Sequence, residues 1–400
     1  MKKICAKILS GFVLGVVAVM VSLLAMSVGT GAKTKVVTTK NGTKLCCYTS
    51  DGNNYEIYEI KNAKKDLIIP ETVDGKHKIT SFYSQWCEKV EYIHFPSGMK
   101  KLPDMDDDEG YMYNIFHNFP NLKEVSFDAR NQYYSAKDGK VYSMQGKKKE
   151  LAAVVPGISH VTVESEVTSL RPEAFRDLTK LENIFVEKGN KKYKSIKGVL
   201  YSKDGKNLIC YPIAKKDEVF RMPDGVKKVC QMACYDQKYL KKIIMGSSVH
   251  EIREYAFAGC ARLKKVSLNK NLKILKQRAF DRCNKWLDLS LPKGIEEVEI
   301  GSLKVKKLEI PAGCKKVRLD VDMHIGQCGI WAKTLIVRSR SLNMIAMDQE
   351  CWYDAEIDED DLEESVYKGK TIYAYKDSKA YKQLKPVAEI YGIKLKLLKG

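Results

Sequence analysis

The sequence predicts an α/β solenoid, a stack of short coils that each add one strand to a parallel sheet. Apolar positions recur with a fixed step of 23 residues, from Val249 to Leu272 to Ile295, from Ile252 to Leu275 to Val298, and from Phe257 to Phe280. Self-similarity at such a period marks units too small to bury their own apolar face, so each must stack on its neighbours. Inside the unit, Ile243 and Met245, Val266 and Leu268, and Leu289 and Leu291 are spaced by two, the period of a short strand. The residue three before each strand centre, Leu240, Leu263 or Trp286, is expected to turn inward with it.

Lys2 and Lys3 precede an apolar run over 8–28 and small residues at 29–32, the order of a secretory signal peptide over 1–32. The run approaches the roughly 20 residues that span a bilayer, which leaves an uncleaved N-terminal anchor as the alternative. An N-terminal β cap is expected over 33–66, where segments 36–39 and 43–47 flank Asn41 and Gly42, a hairpin signal. The solenoid follows over 67–345. Between its strands, 256–260 and 279–283 leave room for short helical turns.

Steps of 59 link Leu170 to Val229, Val125 to Ile184 and Asn131 to Asn190, so the upstream coils carry extra segments. These read as inserted β-hairpins at about 130–165 and 189–222, the second turning at Asp204 and Gly205. The step then shrinks to 19 between Val298 and Val317, so the array tapers. Residues 346–400 are expected to hold an acidic linker and a C-terminal cap with a strand near 371–375, a helix over 378–391 and a last strand near 393–398.

Basic residues number 69 against 50 acidic ones, a net charge of +19. Removing 1–32, which carries Lys2, Lys3 and Lys7 and no acid, leaves +16. Acidic islands at 104–109 and 354–364 make the repeat region more basic still. Such a balance attracts polyanions through salt-screened forces. Simple solubility is the alternative, because lysine pairs at 241–242, 264–265 and 306–307 recur where a coil meets water.

The repeats resemble those of bacterial surface leucine-rich repeat proteins of the BspA-like type. The resemblance rests on Leu67, Ile68, Ile69 and Pro70 with Val73, Asp74, Gly75, Lys76 and Ile79, on Ala256, Phe257, Ala258, Gly259 and Cys260 followed by Leu263, and on Gly198, Val199, Leu200, Tyr201 and Ser202. It covers roughly 60–340, and 371–397 also looks like the closing segment of such proteins. It implies a leucine-rich repeat solenoid in an exported protein that contacts host or neighbouring cells. The chain departs from the pattern where Cys234 replaces an expected Phe and where Gln237 and Phe119 replace an expected Cys, and no cell-wall sorting motif is seen.

Motifs for catalysis or metal binding are scarce. Cys87, Cys260 and Cys283 occupy one repeat position after an aromatic residue, where a small thiol packs into the coil; a disulfide is the weaker reading. His250 and Glu251 begin a helical zinc motif, but position 254 is Glu254 and the segment lies between the ladder residues Val249 and Ile252. The aspartates at 104–108 fail the calcium-loop pattern at Glu109 and Ile115, so a solvated acidic loop is expected. No phosphate-binding glycine loop or nucleophile elbow is present. No cofactor, metal or nucleic-acid partner is therefore expected.

These features point to a non-enzymatic binding or adhesion module, secreted or held at the bacterial cell surface, with an extracellular protein or glycan as partner. The other reading is a structural envelope element held to anionic wall polymer by its basic charge. Membrane contact is expected only through an uncleaved signal. The outward strand positions are Tyr92, His94, Glu124, Ser126, Asn183, Phe185, Lys242, Ile244, Lys265, Ser267, Asp288 and Ser290, with Phe185 and Ile244 as candidate anchors or as residues tucked under the insertions.

Overall fold

A computed structural model describes residues 33–82, 86–102, 114–145, 148–283, 286–300, 304–319, 321–322, 327–328, 331–345, 371–390 and 393–399. The signal reading of 1–32 and the acidic islands at 104–109 and 354–364 lie outside these residues. The fold is a parallel β-solenoid, and the chain divides into two compact units. One comprises the described residues up to 158 with 169–177; the other comprises 159–168 with 178 onward.

In the first unit, Lys33–Thr38, Lys44–Thr49 and Asn54–Lys61 form an antiparallel meander whose third strand pairs in parallel with Lys78–Phe82. Its inner face buries Leu45, Cys47, Tyr55 and Ile57. Asp66–Ile68, Tyr92–Phe95 and Glu124–Phe127 then stack in parallel register, with Leu67, Ile93 and Val125 aligned and buried. Aromatic rings extend this core: Phe95 stacks on Phe127 at 5.1 Å and Phe82 on Phe119 at 5.8 Å. Three antiparallel strands, Tyr134–Lys137, Lys140–Gln145 and Lys148–Val154, follow, and the first turn carries positive φ at Asp138 and Gly139 as a tight hairpin turn requires.

In the second unit, two walls face each other across one core. One wall begins with His160–Val163 beside Asn183–Val186. It continues as the parallel set Val219–Arg221, Lys242–Ile244, Lys265–Ser267 and Asp288–Leu289, each one 23-residue step from the last, with Phe220, Ile243, Val266 and Leu289 aligned and buried. A further parallel set, Lys304–Ile310, Trp331–Val337, Thr371–Ala374 and Lys394–Leu397, aligns Leu308, Leu335 and Ile372 inward. The other wall is one sheet of nine strands that runs from Tyr193–Ile196 to Asn343–Ile345 and buries Leu208, Val229, Ile252, Leu275, Val298 and Val317.

The corners between the walls are not helical. Segments 256–260 and 279–283, expected as short helical turns, are chains of hydrogen-bonded turns, and in the first corner alternate N–H groups reach across to the next coil: Tyr255 to Gln277 O (3.2 Å), Phe257 to Ala279 O (2.8 Å), Gly259 to Asp281 O (2.8 Å), while Ala256 and Ala258 close turns on Arg253 and Tyr255. Residues in the left-handed region recur at the same step, Met232, Tyr255 and Arg278 at φ of 55°, 54° and 52°, with Asp236, Gly259 and Arg282 four positions later. A left-handed residue every fourth position prevents an α-helical ladder. It turns the donors toward the neighbouring coil, which satisfies them there. Among the described residues the α-helix is Lys379–Ile390, opened by Ser378, whose hydroxyl oxygen accepts from the Tyr381 N–H at 3.1 Å.

Side-chain amides, buried at Asn190 and Gln237 and half-buried at Asn269 and Asn131, pin coil to coil. Asn190 donates from Nδ2 to the carbonyls of Glu164 (2.7 Å) and Val167 (3.2 Å), while its Oδ1 accepts from the N–H groups of Lys192 and Tyr193. Asn269 bridges the carbonyls of Gly246 and Val249 in the same way, and Gln237 those of Pro212 and Lys215. In the first unit Asn131 does this for Pro96 and Met99. Each amide satisfies two carbonyls at a turn that no strand could pair.

One inward expectation fails. Leu240 and Leu263 are buried, but Trp286 at the matching position is only half-buried, and its neighbour Leu287 enters the core instead. An indole exceeds the volume of the leucine slot in a close-packed coil, so the chain seats the smaller side chain and leaves the ring at the surface.

Candidate binding surface

In the first unit the outward rows are Asp66, Tyr92 and Glu124, and Ile68, His94 and Ser126, each row formed by residues paired in register. Tyr92, His94 and Ser126 are half-buried and Glu124 is exposed. His94 Nδ1 lies 2.9 Å from Ser126 Oγ, and Lys65 Nζ lies 5.5 Å from the centre of the Tyr92 ring. The four expected positions thus share one face, because alternation along a strand sends every second side chain outward. Ile68, which the sequence reading left unused, is the most exposed apolar residue of this face at 57%.

In the second unit Asn183 pairs with His160 and Phe185 with Thr162. Lys242, Lys265 and Asp288 follow Val219 in one outward row, and Ile244 and Ser267 follow Arg221 in the other. Ser290 lies just beyond the last strand, exposed. Phe185 is 46% exposed, its ring tilted against His160 with centroids 6.3 Å apart. Ile244 is half-buried. Val219, 43% exposed, was missed, although one step back from Lys242 would have found it. Ala214 donates to the Leu181 carbonyl (2.8 Å) and Lys216 meets Glu182 (2.8 Å), docking the segment before Val219 onto the segment before Phe185.

Charge on these walls is organised from coil to coil. Lys265 meets Asp288 (2.7 Å), Lys228 meets Glu251 (2.9 Å), and Glu297 receives both Lys276 (2.9 Å) and Lys316 (2.8 Å). Lys315 and Lys273 hold Glu296 between them and lower its carboxyl to about 2. Exposed pairs of this kind stabilise by only about 0–1 kcal/mol each. They do set many lysines against an acid of the next coil, which removes them from any unopposed basic patch.

Cys87 and Cys260 are buried free thiols and Cys283 is half-buried. The Cys260 thiol donates to the Cys234 carbonyl (3.1 Å) and the Cys283 thiol to the Phe257 carbonyl (3.2 Å), so the recurring cysteine acts as a small packing residue with a local acceptor. Burial pushes the Cys47 thiol up to about 12 and the Cys87 thiol up to about 11, which keeps both protonated and unreactive. His77 and His117 each meet an aspartate, Asp74 at 2.7 Å and Asp177 at 3.1 Å. A groove of about 940 Å³, lined from 286–291, 293, 306–307, 309, 311–313 and Arg338, contains neither histidine nor cysteine. Among the described residues no cluster of three metal-ligating side chains is present, and no helix is long and apolar enough to cross a membrane.

Residues 214–321 match the BspA type leucine rich repeat region in six copies. No protein of curated function matches the sequence. Among solved structures, the chain is similar to the pneumococcal vaccine antigen PcpA at 16% identity and a TM-score of 0.49, covering 92% of this chain and 99% of that one. It is similar to a leucine-rich repeat protein from Eubacterium ventriosum at 16% identity and a TM-score of 0.39, covering 72% and 88%. A leucine rich cell surface protein from Faecalibacterium prausnitzii matches at 14% identity and a TM-score of 0.34, covering 80% and 96%.

Proposed function

The chain carries a BspA-type leucine-rich repeat array, and from that premise we propose that it is a non-enzymatic binding module of the bacterial cell exterior, docking a protein or glycan partner on the outward side of its parallel strands. Proteins with such repeats are typically secreted or surface proteins, and repeat solenoids of this kind are generally non-enzymatic. One observation carries the reading: Phe185 and Val219 stand 46% and 43% exposed on strands whose backbones are held by pairing with neighbouring strands. A large apolar side chain that folding leaves in water, on a surface already ordered, binds without much added entropic cost and suits an interface anchor. Arg221 and His160, also exposed, supply polar contacts around it.

The test is to immobilise the full chain and screen matrix proteins and glycans at two salt concentrations, then repeat with Phe185→Ala combined with Val219→Ala. The expected result is a partner whose binding persists at high salt and falls at least tenfold in the double variant, with the circular dichroism unchanged. Unaltered binding of every partner by the folded double variant would reject this surface.

A further inference from the structure

The outward wall of the second unit is interrupted at one place. Asp288–Leu289 is the last strand of its sheet and Lys304–Ile310 the first of the next, and the repeat step shortens here from 23 to 19. The two strands do not pair, and the groove of about 940 Å³ opens between them. That volume sits at the upper end of small-ligand sites, roughly 300–1,000 Å³, and leaves room for several sugar rings. Trp286, excluded from the leucine slot, gives the groove its aromatic side chain. Ser290 adds a hydroxyl, and four cations line the walls: Lys293, Lys306, Lys307 and Arg338.

The two carboxylates of the lining are already engaged. Asp288 is held by Lys265 at 2.7 Å, and Glu309 by Arg338 and, at 3.7 Å, by Lys307. The Arg338 hydrogen bond lowers the Glu309 carboxyl, so that pair persists as an ion pair at neutral pH. Lys293 and Lys306 are exposed and meet no carboxylate among the described residues. An anion entering the groove therefore finds two ammonium groups that no carboxylate among the described residues meets, in a lining that also contains the Trp286 indole.

We propose that this groove binds an acidic oligosaccharide, a chain of pyranose rings bearing carboxylates. The C–H face of a pyranose suits the Trp286 ring, its hydroxyls suit Ser290 and the unpaired edge of the strand Asp288–Leu289, and its carboxylates suit Lys293 and Lys306. An acidic peptide shares the charge but lacks the stacking face, and is the competitor to be excluded. The proposal rests on the binding-module reading but uses none of Phe185, Val219 and Ile244.

The probe is a short oligogalacturonate, titrated into the full chain by calorimetry beside its methyl ester and poly-L-glutamate. The expected result is binding of the acid form, at least tenfold weaker binding of the ester and of polyglutamate, and a tenfold or greater loss in both Lys293→Glu/Lys306→Glu and Trp286→Ala. The lysine variant alters exposed side chains only, which keeps the test valid should the tryptophan variant fold poorly. Phe185→Ala/Val219→Ala should bind the oligosaccharide as the parent does, so a failure of either surface is seen separately. No binding of oligogalacturonate, equal binding by the lysine variant, or polyglutamate binding as tightly with no dependence on Trp286 would each overturn the proposal.

Discussion

Between Leu240 and Leu275 the second unit repeats without interruption, and between Trp286 and Ile310 it does not. In the regular stretch the residue before each strand is a buried leucine, every central strand pairs on both sides, and lysines face acids one coil away. At the junction the matching residue is a half-buried tryptophan, the wall breaks, and two lysines meet no acid among the described residues. The difference teaches that a regular coil consumes its own binding capacity in contacts with its neighbours. Groups able to meet a ligand remain where the step changes length, or where a strand position carries an apolar side chain that no neighbour covers.

The largest expected effect sets one repeat position against itself. Leu263→Ala should cost about 2–5 kcal/mol, as truncation of a buried leucine does, and Trp286→Ala should cost under about 1 kcal/mol because most surface-side changes are small. Chemical denaturation of the full chain measures both. Equal costs would place the indole in the core and dissolve the contrast between array and junction.

Next comes the amide that ties coils together. Asn190→Ala leaves the Glu164 and Val167 carbonyls without their side-chain donor and should cost about 1–3 kcal/mol. A loss below the error of denaturation would show that water replaces the amide at no penalty.

A smaller effect is expected at the left-handed corner position. Gly259 has φ of +74°, and a Cβ there would overlap Asp236 Oδ1, whereas Arg282 takes the same repeat position at 49°. Gly259→Ala should destabilise by about 1 kcal/mol or more and Arg282→Gly should be near neutral. Melting temperatures of the two variants decide this, and the reverse ranking would mean that the corner geometry is not shared between coils.

The smallest effect concerns charge pairing between coils. Lys315 and Lys273 depress the Glu296 carboxyl from 4.5 to about 2, so its folded value lies below its unfolded one. A depressed carboxylate contributes stability that is complete above pH 4.5 and is lost as the pH falls through about 2. Glu296→Gln should therefore flatten the stability profile between those limits, leaving the variant slightly less stable than the parent at neutral pH and converging with it in acid, an effect that high salt reduces. A profile identical to that of the parent chain would show the pair to be energetically silent.

Much of this arrangement was legible in the chain. The 23-residue step located Ile243, Val266 and Leu289 as inward rungs, and alternation then sent Lys242, Ile244, Lys265, Ser267 and Asp288 outward. Alternation is a local property, set by backbone geometry and carried by residues two apart. The corners were less legible. Ala256, Phe257 and Ala258 have the look of a helical turn: Ala256 and Ala258 do close local turns on the Arg253 and Tyr255 carbonyls, but the partner of the Phe257 N–H, the Ala279 carbonyl of the next coil, lies 22 residues away and leaves no local trace. Val219 and Ile68 were overlooked although the same step and alternation reach them.

The sequence by itself determined the repeat, the identity of the ladder residues and the side of each strand that meets water, because all three follow from spacing along one chain. Only the tertiary structure decided which residue of an equivalent pair enters the core, that Leu287 displaces Trp286, and where the wall opens into a groove. Those outcomes depend on the volume left by neighbouring coils. Volume is a property of the packed stack, and no single unit encodes it.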